Sequence, residues 1–341
     1  MGTFIIAELS ANHNQDLELA KKTILAAKES GADGVKLQTY TPDTITIDCD
    51  KSYFQINYGS LWDGTTLYKL YQKAYTPWEW HEELFSYGRS LGLVMFSTPF
   101  DYSAVDFLEG LGNPIYKIAS FEAMDYPLIK YAAAKGKPMV ISLGLLSLEE
   151  IGEMVEACRE VGNEDITLLV CTSQYPAKPE DAQLLKISDI AARFGVKVGL
   201  SDHTMGSAVA SAAVALGACV IEKHFVLDRE LGGVDSAFSM TPDEFRQMVD
   251  AIRVIEKAVS APDYTKISSG RVHARSLFVV ADIKKGEKFT AENVRSIRPS
   301  HGLHPKYYPQ ILGSTATCDI ERGTPLAWDM TDCRAVFGDV I

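Results

Sequence analysis

Two histidines stand directly after consecutive apolar segments of the sequence. His203 follows the apolar run at residues 196–200, and His224 follows the run at residues 218–221. Because side chains alternate across a strand, Ser201 shares a face with His203, and Glu222 shares a face with His224. On neighbouring parallel strands the two imidazoles could face one another and hold one divalent cation. The alternative is that each histidine only closes a strand in a polar rim.

A second group of polar residues at strand ends suits an anion. Lysine binds a phosphate as a point charge, and hydroxyls add oriented hydrogen bonds. The residues of this kind are Lys36, Thr98, Lys117, Ser120, Ser142 and Ser201. Together they could hold a phosphate and a carboxylate, whereas each lysine alone could equally form a salt bridge within the rim.

Three carboxylates, Glu8, Glu122 and Glu222, lie close to the ends of other apolar segments. One of them could act as a general base or position a sugar hydroxyl, and the alternative is that they are counter-ions of the lysines. A metal ion with only two protein ligands keeps positions open for water and substrate, so it would act as a Lewis acid. Lys223 has the opposite parity from His224 and is predicted to point towards the helices.

The spacing of the apolar segments predicts how these residues are positioned. The segments end near residues 9, 38, 97, 118, 142, 171, 201 and 224, and six of the seven intervals are 21 to 30 residues long. Eight β/α units of this length predict an α/β fold of the TIM (β/α)8 barrel type rather than a doubly wound open sheet. With the parity of His203 taken as inward, the inward-facing set is Glu8, Lys36, Gln38, Lys117, Ser142, Ser173, Tyr175, Ser201, His203, Glu222 and His224.

The longest interval contains residues 41–76, which are too many for a simple connection and are predicted to cover the mouth of the site. Helical spacing predicts helices at residues 16–30, 67–74, 78–91, 127–134, 147–161, 180–194, 207–216 and 242–259. We expect a catalytic barrel at residues 1–260, a polar linker at 261–274 and a small β-rich domain at 275–341. In the small domain, strands are predicted at residues 276–281, 286–289, 294–298, 316–320 and 323–326.

Composition excludes several classes of function. The chain of 341 residues carries a net charge of -12, which argues against non-specific binding to nucleic acid or to an acidic membrane surface. Its 6 cysteines form no CxxC pair, so reduced thiols are expected. With no signal-peptide pattern and no apolar run of membrane length, the sequence predicts a soluble cytoplasmic protein.

Several motifs in order resemble the sialic acid synthase family. They are IAELSANHN at residues 6–14, VKLQT at 35–39, FSTPF at 96–100, YKIASFE at 116–122, CTSQYP at 171–176, GLSDHT at 199–204 and EKHF at 222–225. Residues 275–332, including IRP at 297–299, resemble the C-terminal antifreeze-like (SAF) domain of that family.

The resemblance implies an enzyme that condenses phosphoenolpyruvate with the open aldehyde form of an N-acylated amino sugar. It implies that phosphoenolpyruvate is held by Lys36, Thr98, Lys117, Ser120, Ser142 and Ser201. A divalent ion on His203 and His224, manganese foremost with magnesium or cobalt as alternatives, would polarise the aldehyde. The sugar would contact Glu8, Gln38, Tyr175 and Asp235, with Glu122 close to the reacting carbons. Arg298 would reach the site of the other subunit in a domain-swapped homodimer and contact the N-acyl group.

The chain departs from the N-acetylneuraminate synthases at two points. Ser173 stands where they have Asn, and the segment at residues 41–76 differs; its motifs are most similar to those of the pseudaminic acid synthases. The substrate would then be 2,4-diacetamido-2,4,6-trideoxy-altrose. The alternatives are an N-acetylneuraminate or legionaminate synthase, a class II pyruvate aldolase, and a carbohydrate- or ice-binding protein.

Overall fold

The computed structural model describes residues 2–57, 59, 61–259 and 261–333 of the chain. The chain divides into two units, Met1–Ser260 and Ala261–Ile341. Each unit has an apolar core of its own. The last part of the predicted small domain, residues 334–341, lies outside the described residues.

The first unit is built on eight parallel strands. These are β1 (Phe4–Glu8), β2 (Gly34–Thr39), β3 (Val94–Pro99), β4 (Tyr116–Ile118), β5 (Met139–Ser142), β6 (Ile166–Cys171), β7 (Lys197–Asp202) and β8 (Val220–His224). Each strand pairs with the next, and β8 pairs with β1 to close a barrel. The predicted TIM barrel is therefore confirmed.

Helices follow the strands along the chain. They are α1 (Leu17–Glu29), α2 (Pro42–Ile45), α3 (Leu67–Ala74), α4 (His81–Ser90), α5 (Tyr102–Gly110), α6 (Tyr126–Ala133), α7 (Leu148–Arg159), α8 (Lys186–Phe194), α9 (Ala208–Ala215) and α10 (Pro242–Ala258). Local sequence explains where several begin: Asp16 caps α1, and Ser147 with Glu150 forms a capping box at α7. No described helix combines the length and apolar character needed to cross a membrane.

Two helix predictions need correction. The sequence reading missed α5, although Asp101 caps its first turn by accepting hydrogen bonds from two backbone amides. The single helix predicted at residues 180–194 is wrong, because a short 3-10 helix at Pro179–Ala182 ends before α8 begins. Gln183 between them has a left-handed backbone (φ 44°), which a continuous α-helix does not allow.

The interior of the barrel is filled below the polar ends of the strands. Five apolar side chains from alternate strand positions form this plug, namely Ile6, Phe96, Val140, Leu169 and Val220. A packed interior is expected of this fold, whose active sites lie at the carboxyl ends of the strands.

The second unit contains β9 (Ser276–Val279) and β10 (Val294–Ile297), which pair antiparallel, and the short helix α11 (Tyr308–Ile311). Residues 286–289, 316–320 and 323–326 do not form the strands predicted for them. These segments make only isolated bridges, such as Lys288 with Thr315 and Ile283 with Ile320. Turns with positive-φ glycines at Gly286, Gly313 and Gly323 interrupt them before a ladder can extend.

Candidate active site

The register of the barrel brings the predicted inward-facing residues together. Glu8 on β1 is level with Lys36 on β2 and with His224 on β8, and Ser201 on β7 is level with Glu222 on β8. Because neighbouring strands end at nearly the same height, their polar ends form one ring at the mouth.

Two buried lysines and two buried carboxylates form an ionic network at the base of this ring. Lys36 Nζ lies 2.5 Å from Glu8 Oε2 and 3.9 Å from Glu222 Oε2, and Lys117 Nζ lies 3.5 Å from Glu222 Oε1. Ser201 Oγ donates to Glu222 Oε1 at 3.0 Å. Glu8 and Glu222 therefore serve as counter-ions of the lysines, which was one of the two alternatives left open by the sequence.

The two carboxylates of the network differ in pKa. Burial raises the pKa of Glu8 to about 7, although the charge of Lys36 opposes the rise. Burial also disfavours the ionised form of Glu222, but Lys117 and Lys36 outweigh it and lower that pKa. Since Glu8 titrates near neutrality, it can take up a proton when an anion enters the site, while Glu222 stays ionised.

The hydroxyl groups border the same network. Lys36 Nζ donates to Thr98 Oγ1 at 3.2 Å. Ser142 Oγ and Ser173 Oγ are buried without a hydrogen-bond partner among the described residues, and Ser120 is buried beside them. Since buried hydroxyls are almost always paired with protein, water or ligand, these oxygens are available to water or to a polar ligand in the site.

The two predicted metal ligands face one another. The ring centroids of His203 and His224 are 5.3 Å apart. His203 Nδ1 lies 2.9 Å from the carbonyl oxygen of Thr172, so Nδ1 donates and Nε2 keeps its lone pair for a metal. His224 Nδ1 is buried with no hydrogen-bond partner in the described structure. Burial, with the nearby charges of His203 and Lys36, lowers the pKa of His224 well below its usual range.

Burial disfavours the protonated form of His203, but the neighbouring Cys171 outweighs it and raises the pKa of His203, so a metal would compete with a proton at this ring. A neutral imidazole with an unpaired nitrogen, as at His224, is the form that binds a divalent ion, so the residues present fit a metal. In the part of the chain that the structure describes, no cluster of three or more His, Cys, Asp and Glu side chains is arranged around a metal position. The protein would therefore supply two ligands, His203 and His224, and leave the other positions to water and substrate.

Two further acids lie at the mouth in different surroundings. Glu122 Oε2 is buried and unpaired among the described residues, and burial raises the pKa of this carboxyl to about 7. Asp235 is buried and accepts a hydrogen bond from Ser10 Oγ. Gln38 links β2 to the end of β1. Its Nε2 donates to Glu8 Oε1 at 2.9 Å and to Ser10 Oγ at 3.1 Å.

Aromatic side chains line the upper part of the mouth. The ring of Tyr175 lies 4.4 Å from that of His203, 5.2 Å from that of Phe238 and 5.7 Å from that of Trp62. Trp62 belongs to the segment at residues 41–76, and its indole N–H donates to the carbonyl of Val234 at 2.9 Å. This long segment therefore reaches the mouth of the barrel, as its length and composition predicted.

Comparison with known proteins decides which family these features belong to. The NeuB family matches residues 23–264, and the SAF domain matches residues 274–331. The chain belongs to the NeuB family. The resemblance to sialic acid synthases inferred from the motifs is thereby confirmed.

Individual relatives differ in how similar they are to this chain. The chain is 50% identical to the pseudaminic acid synthase of Helicobacter pylori over 95% of this chain and 96% of that protein. It is 37% identical to the N,N'-diacetyllegionaminic acid synthase of Legionella pneumophila over 96% and 94%. Among solved structures, the spore coat polysaccharide biosynthesis protein SpsE of Bacillus subtilis is 33% identical, with a TM-score of 0.65 and coverage of 96% and 95%.

One residue predicted for the NeuB-type site belongs to the second unit. Arg298 follows β10 directly and is exposed to solvent. All other predicted site residues belong to the barrel unit. The role of Arg298 therefore stays a prediction.

Sequence reasoning missed three residues at this NeuB-family site. Ser10 links Asp235 to Gln38, Cys171 Sγ accepts from Ser120 Oγ at 3.5 Å, and the backbone N–H of Gly144 donates to Ser120 Oγ at 3.2 Å. Ser10 and Gly144 follow β1 and β5, and Cys171 is the last residue of β6. Each of these strands, or the loop after it, carried a predicted site residue. All three have the same parity as the predicted inward-facing residues of their strands, so parity could have indicated them, but their small, uncharged side chains gave no chemical signal in the sequence.

Proposed function

We propose that the chain condenses phosphoenolpyruvate with 2,4-diacetamido-2,4,6-trideoxy-altrose and water, giving pseudaminic acid and phosphate. The observation that carries the choice of sugar is the 50% identity, over nearly the full length, with a pseudaminic acid synthase. Identity to a legionaminic acid synthase is lower, at 37%. The geometry of the mouth supports the reaction class, because it combines buried lysines, unpaired hydroxyls and two facing histidines.

Phosphoenolpyruvate would occupy the base of the mouth, held by Lys36, Thr98, Lys117, Ser120, Ser142 and Ser201. The support is electrostatic: both lysines are buried, where a point charge attracts an anion more strongly than it does in water. The unpaired hydroxyl of Ser142 offers the phosphate or carboxylate a hydrogen bond that no described protein group takes.

The amino sugar would lie above it, against Glu8, Gln38, Ser173, Tyr175 and Asp235. His203 and His224 would hold a divalent ion, with Mn²⁺ as the proposed metal and Mg²⁺ or Co²⁺ as alternatives. When bound, the ion supplies a Lewis acid that polarises the sugar aldehyde. Tyr175 supports this arrangement, because its ring packs against His203 and borders the space above the two histidines.

Glu122 would move a proton in the reaction. A new bond joins the methylene carbon of phosphoenolpyruvate to the aldehyde carbon, and water adds to the enol carbon. Phosphate then leaves as the oxygen of the water becomes the keto oxygen, so one proton of the water ends on the aldehyde oxygen and the other is released with phosphate. Glu8 and Glu222 are engaged by lysines, whereas Glu122 has no ion pair among the described residues. Its pKa of about 7 lets it exchange a proton near neutral pH.

We propose further that the enzyme is a cytoplasmic, domain-swapped homodimer in which Arg298 contacts the N-acyl group in the site of the partner subunit. All six cysteines are free thiols, which suits a reducing compartment. The exposed position of Arg298 after β10 leaves its guanidinium available to another subunit.

The deciding experiment is phosphate release from phosphoenolpyruvate in the presence of Mn²⁺, with each candidate sugar offered separately and EDTA as the control. We expect release only with the 2,4-diacetamido altrose sugar, and loss of release with EDTA. Release with N-acetylmannosamine instead would retain the reaction class and overturn the proposed sugar. No release with any sugar would favour the aldolase or the binding protein.

The metal proposal has a test of its own. His203→Ala and His224→Ala are expected to abolish turnover and Mn²⁺ binding while the barrel stays folded. Full Mn²⁺-dependent activity in either variant would contradict the assignment of the two ligands.

A further inference from the structure

A buried ion pair lies directly behind the two histidines, outside the mouth of the site. Lys223 Nζ on β8 is 2.6 Å from Asp202 Oδ2 on β7, and each side chain is only 1% exposed. Lys223 Nζ also donates to the carbonyl of Thr204 at 2.5 Å. Asp202 Oδ1 accepts from the backbone N–H and the hydroxyl of Thr204, at 2.9 and 2.8 Å. Asp202 on β7, Lys223 on β8 and Thr204, just beyond the end of β7, are thus joined in one closed network.

This network lies at the ends of β7 and β8, next to the two histidines. Asp202 and Lys223 are the last residues that pair β7 with β8, and each immediately precedes one of the histidines. Lys223 points away from the mouth, as its parity predicted. His203 and His224 therefore lie one residue beyond the last residues that pair β7 with β8, and the ion pair joins the side chains of those last paired residues.

The two histidines are fixed in different ways. The ring of His203 is oriented by its hydrogen bond to Thr172, and its carbonyl accepts from the backbone N–H of Ala177 at 2.9 Å. No described group forms a hydrogen bond with His224 Nδ1. The backbone of His224 is held by its pairing with Glu8 on β1 and by a hydrogen bond from the N–H of Met240 to its carbonyl at 2.8 Å. The separation of the two imidazoles therefore depends in part on how the ends of β7 and β8 are held together.

We propose that the Asp202–Lys223 pair positions the divalent-cation site by fixing the separation of His203 and His224. The inference rests on the metal part of the proposed function. A buried ion pair often adds little net stability compared with apolar residues of similar volume. Here the pair and its hydrogen bonds link the ends of the two strands that carry the histidines. Asp202, Thr204 and Lys223 touch neither substrate nor metal in this scheme, so they are positioning residues.

The test measures Mn²⁺ binding to the full-length, metal-free protein without substrate, by electron paramagnetic resonance of free Mn²⁺. The double variant Asp202→Asn/Lys223→Met removes both charges, so no unpaired charge is left buried. We expect its Kd for Mn²⁺ to rise about 10- to 100-fold, the range seen when groups that orient metal ligands are replaced. Excess Mn²⁺ should restore turnover in this variant.

A milder variant keeps the inference testable if the double variant does not fold. Thr204→Val keeps the shape of the side chain and both charges but removes one hydrogen bond to Asp202, so we expect a smaller rise in Kd. Arg253→Met is the matched control: it breaks an ion pair with Asp33 (2.7 Å) near the opposite end of the barrel, and the Kd for Mn²⁺ should not change.

The outcomes separate this inference from the proposed function. Unchanged Mn²⁺ affinity in the folded double variant would mean that the pair only stabilises the fold, and would overturn the inference. If the double variant does not fold, Thr204→Val decides in the same way. Absence of Mn²⁺ binding by the unaltered protein would instead overturn the metal part of the proposed function, and this inference with it.

Discussion

At the scale of single residues, the carboxylates of the mouth differ in what surrounds them. Glu8 and Glu222 lie against lysines, while the buried Oε2 of Glu122 has no hydrogen-bond partner among the described residues. Burial raises the pKa of Glu122 to about 7, so its protonated and ionised forms are both populated near neutrality. A group that must give and regain a proton benefits from this balance.

Glu122→Gln tests that role with little change in size. The amide cannot exchange the proton, so we expect kcat to fall about 10²- to 10⁴-fold while KM for phosphoenolpyruvate changes little. Steady-state kinetics at saturating sugar measure both parameters. An unchanged kcat would show that the proton is moved by another group.

Gly144 is a residue where the absence of a side chain matters. A Cβ at this position would lie 2.1 Å from Ser173 Oγ and 2.8 Å from Ser120 Oγ, so an alanine must displace both hydroxyls. We expect Gly144→Ala to lower kcat/KM about 10- to 100-fold, because misplaced contacts lose orientation of the reactants. Gly110→Ala is the control, since a Cβ there would have no atom within 4 Å apart from those of its chain neighbours and its own helix backbone. Equal loss in both variants would contradict the argument.

At the scale of elements, strand spacing and parity were enough to predict the barrel and the ring of inward-facing residues. The regular intervals reflect a physical requirement, because each strand needs one covering helix before the next strand can pair with it. Parity then selected Lys36, Glu222 and His224 for the mouth, and their register brings them together.

Contacts between segments that lie far apart in the chain could not be predicted from the sequence. Lys223 was assigned correctly to the outer face, but its partner Asp202 lies on another strand and no local pattern links them. Several short strands predicted for the second unit were wrong for a related reason. Single bridges such as Ile283 with Ile320 form between segments far apart, and glycine turns stop them from extending.

The start of α4 illustrates how a helix is attached to the barrel through a neutral histidine. His81 is fully buried; its Nδ1 lies 3.2 Å from the carbonyl of Pro77 and its Nε2 lies 2.8 Å from Thr39 Oγ1 on β2. The carbonyl can only accept, so Nδ1 carries the proton and Nε2 accepts from Thr39. Burial lowers the pKa of His81 to about 4.

This pKa makes stability depend on pH in a defined direction. The unfolded chain binds a proton at His81 near pH 6.5, whereas the folded chain does so only near pH 4, so stability present above pH 6.5 is lost as the pH falls towards 4. Between pH 7 and pH 5 the loss from this group is about 2 kcal/mol. Urea unfolding at both values should show a decrease larger by about this amount in the unaltered protein than in His81→Gln. Equal decreases would mean that His81 is not held neutral.

At the scale of the whole molecule, the two units contribute different kinds of residue. The barrel unit holds the lysines, hydroxyls and histidines of the site, so the proposed sites for phosphoenolpyruvate and metal would use side chains of this unit alone. Arg298 belongs to the second unit and is exposed. The proposed dimer therefore predicts that a complete sugar site draws on two chains.

Mixing two variants with defects in different parts of the site tests this arrangement directly. In a mixed dimer of Arg298→Ala and His203→Ala chains, the barrel of the first keeps His203 and would receive Arg298 from the second, so one of its two sites is intact. If protomers mix equally, half of the dimers are mixed and roughly a quarter of all sites are restored. We expect phosphate release at low sugar concentration to recover to about that fraction of the unaltered rate after co-expression. If Arg298 instead acted within its own chain, no mixed dimer would hold an intact site and activity would stay at the level of the separate variants.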